Sequence, residues 1–335
     1  MYEDLCAPMF ATKEIKLFTC NGNKELSQEI ADILHLEVSG LKLEKFANGE
    51  IYARFDESVR GDEVFLIQSI AGKNVNDLLL ELLIATDAAH RASAASVTAV
   101  IPHYAYARQD RKAASREPIT ARLVANLLET AGVDRVITLD LHQGQIQGFF
   151  DIPVTHLTAL DLFGKYYAEM GEEKGWDWEN VVVVSPDVGR AKAAKKLSDM
   201  LGCSLAIAHK GRPRHNVSEV MAIIGDIQGK TCIINDDMID TAGTLCGSVR
   251  ELKKKGAGDI YVCATHGVFS GPAIERLEDV PIEECCVTNA IPCEHANKEG
   301  SKIKTVSVAN ELAEAIYKVY TNQPTSTIFG GGSEL

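Results

Sequence analysis

In the C-terminal half of the chain an apolar run, Cys232-Ile-Ile-Asn235, ends in two adjacent carboxylates, Asp236 and Asp237. The sequence then reads Asp240-Thr241-Ala242-Gly243-Thr244 and enters a helical pattern with Leu245 and Val249 on one face. Ligands of open α/β sheets bind beyond the carboxyl ends of strands. A loop that opens a helix offers backbone N–H groups and the positive end of a dipole to an anion. Ala242 and Gly243 are small enough for the backbone to close around a phosphate, and the hydroxyls of Thr241 and Thr244 add donors. The two carboxylates would repel that phosphate, but they suit two sugar hydroxyls as acceptors. The spacing describes a ligand with phosphate at one end and vicinal hydroxyls at the other, a ribose 5-phosphate. An acidic turn with an Asp or Thr N-cap is the plainer reading, and it accounts for less of the arrangement.

Other segments carry chemistry of the same kind. Arg108, Gln109, Asp110, Arg111 and Lys112, then Arg116, concentrate cations in an acidic chain. Guanidinium forks match phosphate oxygens, though a solvated charge run is the bland alternative. His209-Lys210-Gly-Arg212-Pro-Arg214 is a second cationic cluster, which in isolation reads as an exposed basic hairpin. Asp187 follows four valines at 181–184 and would face the same cleft as Asp236, where a carboxylate suits a hard cation bridging phosphates. His142 follows a buried-strand pattern, although a lone histidine is usually structural and magnesium prefers oxygen. Phe46-Ala-Asn48-Gly49-Glu50 reads as a turn whose ring could stack on a purine while Asn48 and Glu50 meet its polar edge.

The 233–244 run resembles the motif of the type I phosphoribosyltransferase fold that binds 5-phosphoribosyl 1-pyrophosphate. In that fold the two acids hold the ribose 2- and 3-hydroxyls and the following loop holds the 5-phosphate. Tyr106 to Thr120, Thr138-Leu-Asp-Leu-His142 with Gln145 to Pro153, Ser185-Pro-Asp-Val-Gly189 and Ser270-Gly-Pro-Ala273 also resemble the ribose-phosphate diphosphokinases, of the class I, bacterial-like type. The resemblance spans residues 46–312 with the motifs in the family's order. It implies transfer of the pyrophosphoryl group of magnesium–ATP to C1 of ribose 5-phosphate. It places ATP against Arg108, Gln109, Asp110, Lys112 and His142. Phe46, Asn48, Gly49 and Glu50 would reach the adenine from a neighbouring subunit. It assigns ribose 5-phosphate to Arg212, Asp236, Asp237, Asp240, Thr241, Ala242, Gly243 and Thr244. Mg2+ falls to His142 and Asp187, and catalysis to Lys210 and Arg212 on a loop that closes over the transferring group. It further implies a homo-oligomer, commonly a hexamer. Two departures stand out. Arg190 occupies a position where many members carry a second glycine, and Ala113 and Ala114 replace residues that are polar or charged in some members. A phosphoribosyltransferase or a regulatory paralogue of the same fold is the alternative; the cationic patch disfavours the first, and the retained Lys210, Arg212 and acid pair disfavour the second.

Such residues need a scaffold, and the pattern supplies one. Apolar β-rich runs near 15–20, 64–69, 97–101, 136–139, 181–185, 205–209, 232–235, 260–265 and 284–289 alternate with helical patterns near 24–36, 76–91, 119–131, 188–201, 243–255 and 310–320. This predicts an α/β protein of two halves, each a mainly parallel sheet flanked by helices; the resemblance makes them two phosphoribosyltransferase-like domains. The expected boundaries are 1–155 and 156–305, with polar loops around 151–153 and 171–175, a C-terminal helix at 306–322 able to pack on either half, and a flexible tail at 323–335. The 335 residues are 46% hydrophobic and 24% charged, with a formal net charge of −13. So acidic a chain repels nucleic acid and anionic membranes. Nine cysteines without Cys-x-x-Cys spacing fit a reduced compartment. No run approaches the ~20 apolar residues of a membrane span. The cytoplasm is the expected location.

Overall fold

The computed structural model describes residues 13–211 and 220–329. The chain divides into two compact units. The first comprises Met1–Thr138, Gln145–His156 and Ala309–Ile328; the second comprises Leu139–Gly144, Leu157–Val308 and Phe329–Leu335.

The first unit is built on a six-stranded sheet in the order β2-β1-β5-β6-β7-β8. Its strands are β1 (Ile15–Thr19), β2 (Val38–Ser39), β5 (Glu63–Ile67), β6 (Ser96–Ile101), β7 (Arg135–Leu139) and β8 (Val154–Leu157). The pairings of β1 with β2 and β5, of β5 with β6, and of β6 with β7 are parallel. Strands β3 (Leu41–Lys45) and β4 (Ile51–Phe55) form a separate antiparallel hairpin. Helices α1 (Lys24–Leu34), α2 (Val75–Arg91) and α3 (Thr120–Ala131) complete it, with α8 (Ala309–Tyr320) packed on α1. The Tyr320 hydroxyl donates to the Lys13 carbonyl (3.1 Å), which ties the C-terminal helix to the start of β1.

The second unit carries seven strands in the order β11-β10-β9-β12-β13-β14-β15. These are β9 (Val181–Ser185), β10 (Ser204–Gly211), β11 (Val220–Ile224), β12 (Thr231–Ile239), β13 (Ile260–Gly267), β14 (Glu284–Thr288) and β15 (Ile303–Val306). All pairings are parallel except that of β10 with β11. Helices α4 (Leu160–Lys174), α5 (Ala191–Leu201), α6 (Gly243–Lys254) and α7 (Ala273–Asp279) flank the sheet. The four valines of β9 show why the sheet is central. Val182 and Val184 enter one core with Cys232 and Ile234, and Val181 and Val183 enter another with Ile233 and Cys263. A parallel strand covered on both faces needs an uninterrupted apolar run, and β9 supplies it.

Several elements depart from the sequence reading. The 171–175 segment, expected as a polar loop, is instead the end of the 15-residue helix α4, with Gly175 as its C-cap and Gly171 within it. Its pattern is easy to miss because Glu, Lys and Gly interrupt the apolar face, while Phe163 and Tyr167 anchor it in the core. The β3–β4 hairpin, β8, β11, β15 and α7 were absent from the expected elements. Of the tail, Thr325–Phe329 forms a 3₁₀ turn, and 330–335 lie outside the described residues.

Candidate active site

In the seven-stranded sheet the connections run one way from β9 to β10 and the other way to β12. The crevice beyond the carboxyl ends of β9 and β12 is therefore the topological switch point, where ligands of such sheets bind. Asp187 follows β9 directly. Asp236 and Asp237 lie on β12 itself, which continues past them to Ile239, with Asp236 in register with Ala264 of β13.

The two acids differ in surroundings. Asp237 is buried, whereas Asp236 is half-buried. Asp237 donates its backbone N–H to Asp236 Oδ1 (2.9 Å). His142 Nδ1 donates to Asp237 Oδ2 at 2.7 Å. Burial and then the charge of Asp237 push the Asp236 carboxyl up to about 8. Burial works against Asp237 too, but the His142 hydrogen bond and the Arg190 charge outweigh it and hold that carboxyl well below the usual range. The opposed shifts bias the pair toward sharing one proton, with Asp236 the readier of the two to hold it. With its Nδ1 proton committed to Asp237, a neutral His142 carries its lone pair on Nε2, the form a ligand histidine requires.

His142 is held by a buried polar frame. Asp140 adopts a left-handed backbone (φ 36°). Its Oδ2 accepts from the Thr265 hydroxyl (2.6 Å) and from the Ala159 N–H (2.9 Å). His266 Nε2 donates to the carbonyls of Leu139 and Asp140, each at 3.1 Å. Burial lowers the His266 pKa against the opposing charge of Asp140, which keeps the ring neutral. Sequence inspection passed over Asp140, Thr265 and His266; the signal was polar residues at the ends of two apolar strands.

The 240–244 segment enters α6 through Ala242, which has φ 57° and no side-chain cap. The first-turn N–H groups are thus left for another acceptor. Asp187 is exposed; its Oδ1 accepts the Arg190 N–H (3.0 Å). Arg190, noted in the sequence only as a departure, proves to be a cation acting on both acids, and its buried Nε has no hydrogen-bond partner among the described residues. The backbone of Lys210 belongs to β10, in register with Met221 of β11. Arg212 lies outside the described residues.

In the first unit, the 46–50 segment is the turn of the β3–β4 hairpin. Phe46 N–H donates to the Glu50 carbonyl (2.8 Å), Gly49 (φ 91°) donates to the Phe46 carbonyl (2.8 Å), and the Asn48 side chain accepts from the Glu50 N–H (3.2 Å). Phe46 is 56% exposed and packs its ring against Tyr52, 5.7 Å between centroids. Arg108, Gln109, Arg111 and Lys112 are exposed and Asp110 is half-buried. Gln109 Oε1 accepts from the Thr120 hydroxyl at the start of α3 (2.5 Å). Glu117 accepts the N–H groups of both Ala113 and Ala114, each at 2.8 Å, so those two residues serve the loop through their backbone.

Among the described residues no three His, Cys, Asp or Glu side chains converge to form a metal cage. Eight cysteines there are free thiols. None of the described helices is long and apolar enough to cross a membrane.

Residues 15–132 match the model for the N-terminal domain of ribose phosphate pyrophosphokinase, and residues 212–330 match that for the phosphoribosyl synthetase-associated domain. The chain is 51% identical to a ribose-phosphate pyrophosphokinase of Clostridium acetobutylicum, over 95% of this chain and 98% of the relative. It is 48% identical to that of Bacillus subtilis, over 96% and 98%. The crystal structure of phosphoribosylpyrophosphate synthetase from Mycobacterium smegmatis superposes with a TM-score of 0.85 at 46% identity, covering 92% of this chain and all of that one. Near-complete coverage at this identity, with both domain models matched in order, means that the chain belongs to the ribose-phosphate pyrophosphokinase family.

Proposed function

We propose that the protein transfers the pyrophosphoryl group of ATP to the anomeric hydroxyl of ribose 5-phosphate, giving 5-phosphoribosyl 1-pyrophosphate and AMP for nucleotide synthesis. The observation that carries this reading is the acid pair on β12 followed directly by the uncapped N-terminus of α6. Together they offer acceptors for vicinal hydroxyls and donors for a phosphate at the switch point of one sheet.

Asp236 and Asp237 hold the ribose 2- and 3-hydroxyls; Asp240, Thr241, Ala242, Gly243 and Thr244 hold the 5-phosphate, with Arg212 assisting. ATP is bound by Arg108, Gln109, Asp110, Lys112 and His142. Phe46, Asn48, Gly49 and Glu50 are supplied by a neighbouring copy in a homo-oligomer, a hexamer in our reading; the exposed ring of Phe46 on a hairpin turn supports this. The C1 oxygen bonds to the β-phosphorus as the bond from that phosphorus to the α–β bridging oxygen breaks. AMP departs, and the hydroxyl proton passes to solvent. Such chemistry depends on positioning and neutralisation of spread charge, and Lys210 and Arg212 supply the neutralisation. Magnesium fits the donors present: hard oxygen ligands, and one or two carboxylates completed by substrate phosphates rather than a closed protein cage. His142 and Asp187 would hold it, and when bound it neutralises phosphate oxygens. We propose the cytoplasm as its location; the free thiols among the described residues and the nucleotide-synthesis reaction support this.

The deciding assay is AMP formation from ATP and ribose 5-phosphate with the purified full chain. Stoichiometric AMP and 5-phosphoribosyl 1-pyrophosphate are expected. Pyrophosphate release from 5-phosphoribosyl 1-pyrophosphate and a nucleobase, without any ATP-dependent reaction, would replace this reading with that of a phosphoribosyltransferase.

A further inference from the structure

We propose that Arg276 on α7 is a positioning residue for the sugar-phosphate loop: it aims the loop's backbone donors and places a cation beside them. The inference rests on the reading that residues 240–244 take the phosphate of ribose 5-phosphate.

Arg276 Nη1 donates to the carbonyl of Thr241 at 2.8 Å. One residue earlier, the carbonyl of Asp240 accepts from the Ser270 N–H at 3.0 Å. Two successive carbonyls of the loop are therefore turned toward the segment that leads into α7. In a planar trans peptide the N–H of the next residue points opposite to the carbonyl. The N–H groups of Thr241 and Ala242 are thus turned away from Ser270 and Arg276, with no freedom to rotate back while both bonds hold. Ala242 completes the arrangement with its left-handed φ of 57° at the head of α6.

Arg276 also touches the loop at Gly243, where a Cβ would stand 3.3 Å from Nη1. A side chain at 243 would press on the guanidinium tip, which would have to give by a few tenths of an ångström to keep its bond to Thr241. No carboxylate among the described residues pairs with Arg276; Asp279, one turn further along α7, pairs with Arg250 instead (3.2 Å). Its charge, though exposed to solvent, is not committed to an ion pair among the described residues and stands beside the loop. An arginine suits this post because its planar fork fixes the direction of the bond to Thr241, whereas a lysine would keep the charge and lose the direction.

The test is steady-state kinetics on the full chain with Arg276→Gln, Arg276→Lys and, as a control on the loop itself, Thr244→Val. For Arg276→Gln we expect the KM for ribose 5-phosphate to rise about 10- to 100-fold, with kcat at saturating sugar and the KM for ATP within about threefold, and Arg276→Lys to recover part of the loss. A fall in kcat together with increases in both KM values and a lowered melting temperature would make Arg276 merely structural and overturn the proposal. An unchanged sugar KM in Arg276→Gln, with a raised one in Thr244→Val, would overturn it while leaving the loop assignment standing. If neither variant moved the sugar KM, the loop assignment would fall as well.

Discussion

Asp236 and Asp237 are neighbours in sequence and opposites in chemistry. The His142 hydrogen bond and the Arg190 charge favour the ionised form of Asp237 against its burial, while burial and the charge of Asp237 favour the protonated form of Asp236. An acid whose pKa rises on folding takes up protons in the folded state, so its contribution to stability falls as pH climbs from the unfolded value toward the folded one. We therefore expect the Asp236 contribution to the stability of the ligand-free protein to decline between the ordinary carboxylate value of 3.8 and about 8. Asp236→Asn should flatten that decline relative to the parent, as read by thermal melts across pH; a parallel decline in both would refute the shared-proton account. Lys210 belongs to the same scale. If it neutralises charge only in the transition state, Lys210→Ala lowers kcat by on the order of 10³ while binding of ATP, measured by calorimetry, changes little. Unaltered turnover would remove it from the mechanism.

Among the elements, the two large sheets have comparable corners that differ in what fills them. In the first unit the order reverses between β1 and β5. There the Gly22 N–H donates to Gln68 Oε1 (2.7 Å), Asn21 Nδ2 donates to Glu81 (2.9 Å), and the Asn23 side chain accepts from Leu26 N–H (3.1 Å) to cap α1. Donors that could meet an anion already have internal acceptors. In the second unit α6 begins without such a cap, which leaves its N-terminus to a ligand. The left-handed Ala242 is part of this opening, and a non-glycine residue there carries a steric penalty. Ala242→Gly is expected to raise stability by up to about 1 kcal/mol in urea unfolding with the sugar KM nearly unchanged. A loss of stability would show that the methyl group contributes packing that outweighs the strain; Ala242 is indeed only 5% exposed.

For the whole molecule, the ATP-contacting residues assigned to a neighbouring copy make the oligomer part of the proposed chemistry. Glu50 and Arg108 both belong to the first unit. A variant disabled at Glu50 and another disabled at Arg108 should each be nearly inactive alone. After dissociation and mixing, hybrid oligomers should regain activity, because some sites then combine an intact 46–50 turn with an intact cationic patch. No recovery, with mixing verified by mass spectrometry, would argue that each site is complete within one chain. Against the net charge of −13, the local cations at 108–116 and 209–214 are the clusters we propose meet phosphate.

The sequence by itself determined the parts whose cause is local. Strand–helix alternation and the uninterrupted valines of β9 specify an α/β fold, because a doubly covered parallel strand tolerates no polar alternation. The acid pair, the small residues and the threonines of 236–244 suggest a loop for a sugar phosphate, the reading we propose, because the donors and acceptors come from one continuous run. What the tertiary structure decided depends on chain segments far apart. It joined α8 to the first unit by packing on α1, which the helix's own amphipathic pattern left open. It revealed α4, whose polar interruptions hid a face anchored by Phe163 and Tyr167. It brought His142 to Asp237 across 95 residues, tied the neighbouring Leu139–Asp140 segment to Thr265 and His266, and turned Arg190 from a departure into a counter-charge. Those relations follow from strand order and from the shared low-dielectric interior, and neither is written in the spacing of a single segment.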